Sequence, residues 1–512
     1  MEALNNFISQ VNSYLSDYIL IILLIGVGLF FTIKTKFVQV RCFGEGMKNV
    51  FGKLKLKGDH KKSGLSSFQA LATAIAAQVG TGNIVGACGA IFIGGPGAIF
   101  WMWVIACLGM ATIYAEAVLA QKTKTTDANG EVVGGPVYYI KTAFKNNFGK
   151  FLAGFFAVAA VLALGFMGAM VQSNSIATNI NGVFKDAFNT ELVLFDFFGY
   201  PITLATLITG IIVALLSALI LIGGTKRLAA VNEKLVPIMA AFYLVGGLLV
   251  LAINIVYLPE AFGMIFKYAF VPNAIIGGGI GYAIKLAISK GAQRGLFSNE
   301  AGMGSTPHAH ALADVKDPHT QGTTAMIGVF IDTFVVLTMT ALVVITTLYC
   351  RVDAITGPAG EVLGSAIDHE ALMLQNAADF STANMAQYAF SITFAEILPA
   401  AVADAIGSVF VAICLFFFAF STIISWNYFG KVNFEHLFGK KATIIYSVVA
   451  VAFVFLGSLL QNDLVWNLTD FFNYLMVIPN VIALFALCRL VYEKPTEMPE
   501  IKADANAALE EE

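Results

Sequence analysis

Residues Gly80-Thr81-Gly82-Asn83 stand in the middle of an uncharged run, 68–94, that reads FQALATAIAAQVGTGNIVGACGAIFIG. At about 1.5 Å of rise per residue the run, as a helix, would cross a hydrocarbon core of about 30 Å. Its centre is poor helix material. Each glycine costs roughly 1 kcal/mol against alanine, and Thr and Asn compete for backbone hydrogen bonds. Backbone groups without partners are not tolerated facing lipid, so a span interrupted here points its break at a cavity or a bound solute. Half-helix ends offer N–H groups to an anion and carbonyls to a cation. The break reads as half of a binding site, and Gln78, one turn before Thr81, lines the same cavity.

Other polar groups stand in apolar surroundings. Gln172 and Asn174 sit mid-span, where an amide without a partner is expensive; interhelical bonding is the alternative to ligand contact. Asp332 lies inside an apolar span, and an intramembrane carboxylate is a functional candidate by default, as a cation or proton site or as the partner of a polar neighbour. Glu116 is near a span end and is expected to reach water. Asn299 and Glu300, with Arg294, read as a cytoplasmic gate network. His308 and His310 read as loop residues and a weak metal signal. The six cysteines, Cys42, Cys88, Cys107, Cys350, Cys414 and Cys488, show no metal or redox spacing and are expected to pack.

The elements that must position these groups follow from composition. The 512-residue chain is 58% hydrophobic and 12% charged, with a mean hydropathy of +0.78. Soluble domains carry about 25% charged residues, so this is an all-α polytopic membrane protein. Eleven spans are expected, at 18–33, 68–94, 95–119, 151–183, 201–222, 235–256, 271–290, 322–348, 400–428, 442–460 and 464–490. The 34–62 loop holds nine Lys/Arg against Glu45 and Asp59 and is cytoplasmic by the positive-inside rule, which puts the N-terminus outside and the C-terminus inside. The N-terminus lacks a basic signal-peptide region, so the first span is expected to be retained. The expected organisation is an extra N-terminal helix and basic loop (1–62), a first repeat (63–258), a second repeat (259–490) with an outer polar connection (351–398), and an acidic tail (491–512). Short helices are expected after the turn in GGPVYYI (134–140), at the interface, and at 259–270.

With the first span set aside, ten remain. The first of the ten is interrupted at 80–83 and the sixth at Gly277-Gly278-Gly279-Ile280-Gly281, corresponding positions in two halves of five. Five is odd, so the halves are inverted, and paired glycine-interrupted spans point to an inverted-repeat transporter with a midplane site. Close helix packing is the alternative for either cluster taken alone.

QVGTGNIVG (78–86), GGPVYYI (134–140), MVQSNSIA (170–177), GAQRGLFSNEAGMGS (291–305) and FSTIISW (420–426) resemble the alanine or glycine:cation symporters, of the sodium:alanine symporter type, across nearly the whole chain. The resemblance implies the leucine-transporter fold and uptake of a small neutral amino acid, alanine or glycine, coupled to sodium or proton entry. It implies a substrate site at Gln78, Thr81, Gly82, Gln172, Asn174, Gly279, Tyr282 and Trp426. It implies a sodium site from Ser421 and Thr422 with carbonyls near Ala77 and Gly80. Hydroxyls bonding back to the preceding turn are the alternative for that pair, an interfacial position for Trp426, and packing for Tyr282. The expected setting is a bacterial inner membrane, with lipid and a small molecule as partners, no nucleic acid, no organic cofactor and a monomeric state. A proton-coupled carrier and an amino-acid-gated channel or sensor are the alternatives. The chain shows no P-loop, nucleophile elbow or metal-ligand spacing that would make an enzyme or an ATP-driven pump.

Overall fold

The computed structural model describes residues 2–52, 65–126, 130–188, 192–197, 200–270, 280–351, 382–460 and 462–492. Among these, nine helices are long and apolar enough to cross a membrane, and the pair Ser67–Gln78 and Gly82–Gly94, bent by 49°, makes a tenth. The eleventh expected span, 271–290, begins outside the described residues, as do Gly277, Gly278 and Gly279. Its described part belongs to one helix, Ile280–Asn299, which continues past the expected end at 290. Tyr282 is in the first turn of this helix, its side chain outside what the structure describes.

The N-terminal span runs from Leu4 to Lys34, well before residue 18. Two of its early amides bond the last long helix. Asn12 Nδ2 donates to the Asn467 carbonyl at 2.7 Å, and Asn467 Nδ2 donates to Asn5 Oδ1 at 2.8 Å. The connection expected at 351–398 is polar only in part. Residues 352–381 lie outside the described residues, but Met385–Phe394 is a buried helix packed against Ala400–Phe438. A small antiparallel hairpin, Val193–Phe197 with Tyr200–Thr203, precedes the helix Leu204–Ile222. The turn in GGPVYYI is present: Gly135 has φ +125° and Pro136 opens the helix Pro136–Ala143. That helix is not merely interfacial, since Tyr139 is fully buried and donates to Asn480 Oδ1.

Burial sorts the helices into a core and a lipid-facing layer. In the most apolar window of Ala400–Phe438, 67% of residues are buried, against 33% in Leu204–Ile222 and Gly224–Ile253. The core helices touch one another through alanine, glycine and small polar side chains, which allow close backbone approach. Among the described residues, four π-helical stretches, Gly82–Gly86, Val161–Gly168, Phe330–Leu337 and Ile345–Tyr349, interrupt the regular helix in this core. Such bulges gather at functional positions.

Candidate functional site

The first half-helix, Ser67–Gln78, opens on a capping box. Ser66 Oγ accepts from the Gln69 amide and Gln69 Oε1 accepts from the Ser66 amide, both at 3.1 Å. It ends where Val79 leaves helical geometry at φ −79°, ψ 86°. A helix end leaves its last carbonyls without intrahelical partners and carries a partial negative charge. Two of those carbonyls face the hydroxyl pair on Ala400–Phe438. Thr422 Oγ1 is 2.9 Å from the Ala76 carbonyl and 3.3 Å from that of Ala77; Ser421 Oγ is 3.3 Å from Ala76 O. Both hydroxyls also reach the Phe418 carbonyl, at 2.9 and 3.1 Å. Two hydroxyls and three carbonyls thus share one locus with only two protons between them. That is an oxygen set suited to a hard cation. The expected partner Gly80 contributes differently: its carbonyl accepts from the Asn83 amide at 3.2 Å, and Ala76 and Phe418 supply the added oxygens. A Cβ on Gly80 would lie 2.4 Å from Thr422 Oγ1. Glycine is required there for the approach of the two chains.

Around the break the polar groups divide into satisfied and unsatisfied. The Thr81 amide donates to Gln172 Oε1 at 3.1 Å, and the Gly80 amide to Asn83 Oδ1 at 3.0 Å. Gln172 therefore holds the break itself. Thr81 Oγ1 and Gln78 Oε1, both buried, have no partner among the described residues. Gln78 Nε2 donates to the Asn299 carbonyl at 2.8 Å, which ties the first break to the end of Ile280–Asn299. At Gly82 an added Cβ would stand 3.0 Å from Phe297 Cδ1 and 3.1 Å from Ser298 Cα.

A further interruption is present among the described residues. It follows Asn299, where Glu300, Gly302 and Gly304 take φ of +58°, +90° and +81°. The chain regains a turn of helix at Pro307–Ala311 and pairs with Leu65 at Ala313. Gly277, Gly278 and Gly279 of the expected break lie outside the described residues, and the break after Asn299 is set by three left-handed residues amid polar side chains. Its fixings are carboxylates. Glu300 accepts from Trp426 Nε1 at 2.6 Å and from Ser305 Oγ. Glu116 accepts from Asn480 Nδ2 at 2.6 Å and the Gly302 amide at 3.3 Å. Expected to reach water, Glu116 is fully buried.

Asp332, in the π-helical stretch Phe330–Leu337, joins the two interruptions. Asn83 Nδ2 donates to Oδ1 at 2.7 Å, Ser298 Oγ lies 2.8 and 3.0 Å from the two carboxylate oxygens, and Thr333 Oγ1 donates at 2.8 Å. The carboxylate is fully buried, and among the described residues no cationic side chain pairs with it.

Several expectations change. Arg294 is not bonded to Asn299 or Glu300, which stand at and just past the end of its helix. Arg294 instead pairs with Asp470 Oδ2 at 3.4 Å and lies 4.5 Å over the Trp466 ring. It belongs with Lys290 on the Gly94 side of the break, where a Cβ on Gly94 would meet Lys290 Cβ at 3.4 Å. Lys285 and Arg294 are matched by Asp17 and Asp470, so they do not act as loop charge. Asn174 donates to the Gly457 and Leu460 carbonyls at 3.1 and 2.8 Å, so it caps Thr443–Leu459 rather than facing the break. Trp426 is 1% exposed, edge-on to Phe297 at 5.6 Å, and so walls the core. His308 and His310 are buried in a short helix. His308 bonds Ser305 O and Asn433 Nδ2 at 2.7 and 2.9 Å, and His310 bonds Gln321 Nε2 at 2.8 Å. Burial pushes them down to about 4 and about 3. Ala76, Phe418, Ser298, Thr333, Asp470 and Asn480 were missed. The rule that flagged Asp332 would have found Asp470, a carboxylate in an apolar span.

Residues 1–507 match the model of the sodium:alanine symporter family. The chain is 37% identical over 498 residues to the sodium/alanine symporter AgcS of Methanococcus maripaludis, covering 97% of this chain and 98% of that one. It is 35% identical over 497 residues to the amino-acid carrier protein AlsT of Bacillus subtilis, covering 96% and 92%. Among solved structures, MhsT in complex with L-phenylalanine superposes with a TM-score of 0.53 at 13% identity, over 84% of this chain and 99% of that one. That likeness shows the leucine-transporter fold.

Proposed function

This chain belongs to the sodium:alanine symporter family and is a multi-pass transporter rather than an enzyme, and from that premise we propose that it takes up a small neutral amino acid, alanine or glycine, together with sodium. The observation that carries the reading is the pair of buried, unpartnered oxygens, Gln78 Oε1 and Thr81 Oγ1, at the first break. A buried polar atom without a partner costs about 1–3 kcal/mol, and a ligand ammonium or carboxylate that completes it removes that cost. The substrate would lie between Gly80–Asn83 and the Phe297–Ser305 segment, with Gln172 ordering the break and Trp426 forming a wall. Gly82 keeps the two backbones near van der Waals contact, which favours a small side chain. Asn174, bonded elsewhere, is not in the proposed set, and Gly279 and Tyr282 stay sequence-based candidates.

Sodium would be held by Ser421, Thr422 and the carbonyls of Ala76, Ala77 and Phe418. Because Ala76 and Ala77 end the broken helix, an ion there would steady the geometry that presents Thr81, and by linkage substrate would raise ion affinity equally. Asp332 would take a further positive charge, a second cation or a proton. The proposed setting is a bacterial inner membrane with the N-terminus outside and the protein acting as a monomer.

The test is uptake of labelled alanine by proteoliposomes under an imposed sodium gradient, with glycine and larger amino acids as competitors. Accumulation should follow the sodium gradient and be competed by glycine; accumulation indifferent to sodium, lithium and pH gradients alike would remove the coupling. Thr81→Phe should fill the pocket, and unchanged apparent affinity in that variant would move the site elsewhere.

A further inference from the structure

At the Leu65 end of the molecule, away from the breaks, three metal-ligating side chains converge. Cys42 Sγ, a Glu45 carboxylate oxygen and a His319 ring nitrogen all lie within 4.8 Å of one another. Cys42 joins the short helices Val38–Arg41 and Phe43–Phe51, and Glu45 is three residues on. Spacing of three on a helical path brings thiol and carboxylate to one face. His319 is the second residue of Pro318–Val329, whose N-cap is Asp317.

The geometry around the cluster is fixed from behind. Tyr114 Oη is 2.7 Å from His319 Nδ1, which turns Nε2 toward Glu45 Oε2 at 3.3 Å. A histidine whose far nitrogen is held by an outer partner is how metal-ligating imidazoles are oriented. Phe43–Phe51 is seated on Pro318–Val329 by Asn49 Nδ2 donating to Thr323 Oγ1 at 3.1 Å. At Gly46 an added Cβ would lie 2.8 Å from the Thr323 carbonyl. Side-chain exposures of 32% for His319 and 48% for Glu45 leave the cluster open to ions from solvent.

We propose that Cys42, Glu45 and His319 form a binding site for a divalent transition ion of zinc type, with the fourth position open to water. One sulfur, one imidazole nitrogen and one carboxylate oxygen suit zinc, cobalt or nickel; magnesium and calcium demand oxygen ligands throughout. Binding takes the thiolate, so the Cys42 proton leaves to solvent, and it takes the imidazole tautomer that donates Nδ1–H to the Tyr114 oxygen. The ion would staple the segment after the extra N-terminal span to the helix that continues into Asp332. Since that helix belongs to the transport core and the segment does not, the occupied site stabilises the fold and slows the transport cycle. This inference does not depend on which amino acid is carried.

The experiment is titration of the purified full-length chain with Co2+ in a non-chelating reductant. One equivalent should bind with a thiolate-to-cobalt charge-transfer band. The band should vanish in Cys42→Ser and persist in Cys488→Ser, and Tyr114→Phe should weaken binding by about tenfold. Zn2+ should raise the thermal midpoint and slow uptake in the wild type but not in His319→Gln, whose uptake in the presence of chelator should be normal. A charge-transfer band that survives Cys42→Ser, binding indifferent to His319→Gln, or no binding up to millimolar metal would overturn the site and leave the three groups as a hydrogen-bonded cluster.

Discussion

The two interruptions meet across Gly82 and Ser298, yet they are held by different means. The first, at Val79–Asn83, is kept by neutral amides: Gln172 takes the Thr81 N–H and Asn83 the Gly80 N–H, while Thr81 Oγ1 and Gln78 Oε1 are left open. The second, after Asn299, is kept by carboxylates: Glu300 takes Trp426 and Ser305, and Glu116 takes Asn480 and the Gly302 amide. Glycine at 80 admits Thr422, and left-handed residues at 300, 302 and 304 turn the chain. Among the described residues the first break leaves Gln78 Oε1 and Thr81 Oγ1 open, and the second is bonded through its carboxylates but leaves Thr306 Oγ1 open. The difference separates binding from scaffolding: substitutions in the first should alter ligand affinity with little change in stability, and those in the second the reverse.

The largest effect should come from Gly80→Ala. Its Cβ would meet Thr422 Oγ1 at 2.4 Å, where backbone approach cannot relax without opening the oxygen cluster. A strain of about 2 kcal/mol corresponds to roughly thirtyfold in affinity, so sodium activation of alanine uptake should shift by at least that factor. Sodium dependence unchanged in Gly80→Ala would mean that the hydroxyl–carbonyl cluster is structural only.

Glu116→Ala tests the other break. It leaves the Gly302 N–H without its acceptor and Asn480 Nδ2 with the Gly302 carbonyl in place of two acceptors, a loss of about 1–3 kcal/mol. The thermal midpoint should fall while the apparent sodium affinity of the surviving protein is kept. A fall in sodium affinity without a fall in midpoint would invert the comparison. Thr81→Val should be milder and opposite in kind: it removes a hydroxyl that has no protein partner. Alanine affinity should drop by about two- to tenfold, the worth of one hydrogen bond, with stability unchanged or raised.

A pH effect is expected in the chain just beyond the second break. Buried His308 and His310 are held neutral, at about 4 and about 3 against an ordinary 6.5. The unfolded chain binds their protons first, so stability is full above about pH 6.5 and is lost as pH falls toward 4. Thermal midpoints across that window should show the slope, and His310→Gln should flatten part of it.

The first break was legible because a Gly-Thr-Gly-Asn tetrad has no local reason to sit in an apolar span. Ser421 and Thr422 were legible through the resemblance, and their span sits where it was expected. The break after Asn299 was not legible. Ser298 to Ser305 is polar enough to pass for a loop. Whether a glycine bends a span depends on what packs against it, as Gly82 shows against Phe297. The partners that close the site are also remote in sequence: Asn83 finds Asp332, Glu116 finds Asn480, and Arg294 finds Asp470 only in the folded chain. Asn174 misled for the same reason, since its amide answers the end of a helix nearly 300 residues on.

The most direct measurement is alanine binding to the purified protein by calorimetry, with sodium and with an inert cation in its place. Ion binding at the end of Ser67–Gln78 should strengthen alanine binding by roughly tenfold or more, within the usual range of site-to-site coupling, and Thr422→Ala should erase that gain while still binding alanine weakly. Equal affinity in the two salts, with Thr422→Ala behaving as wild type, would contradict the claim that the first break is completed by an ion and a substrate together.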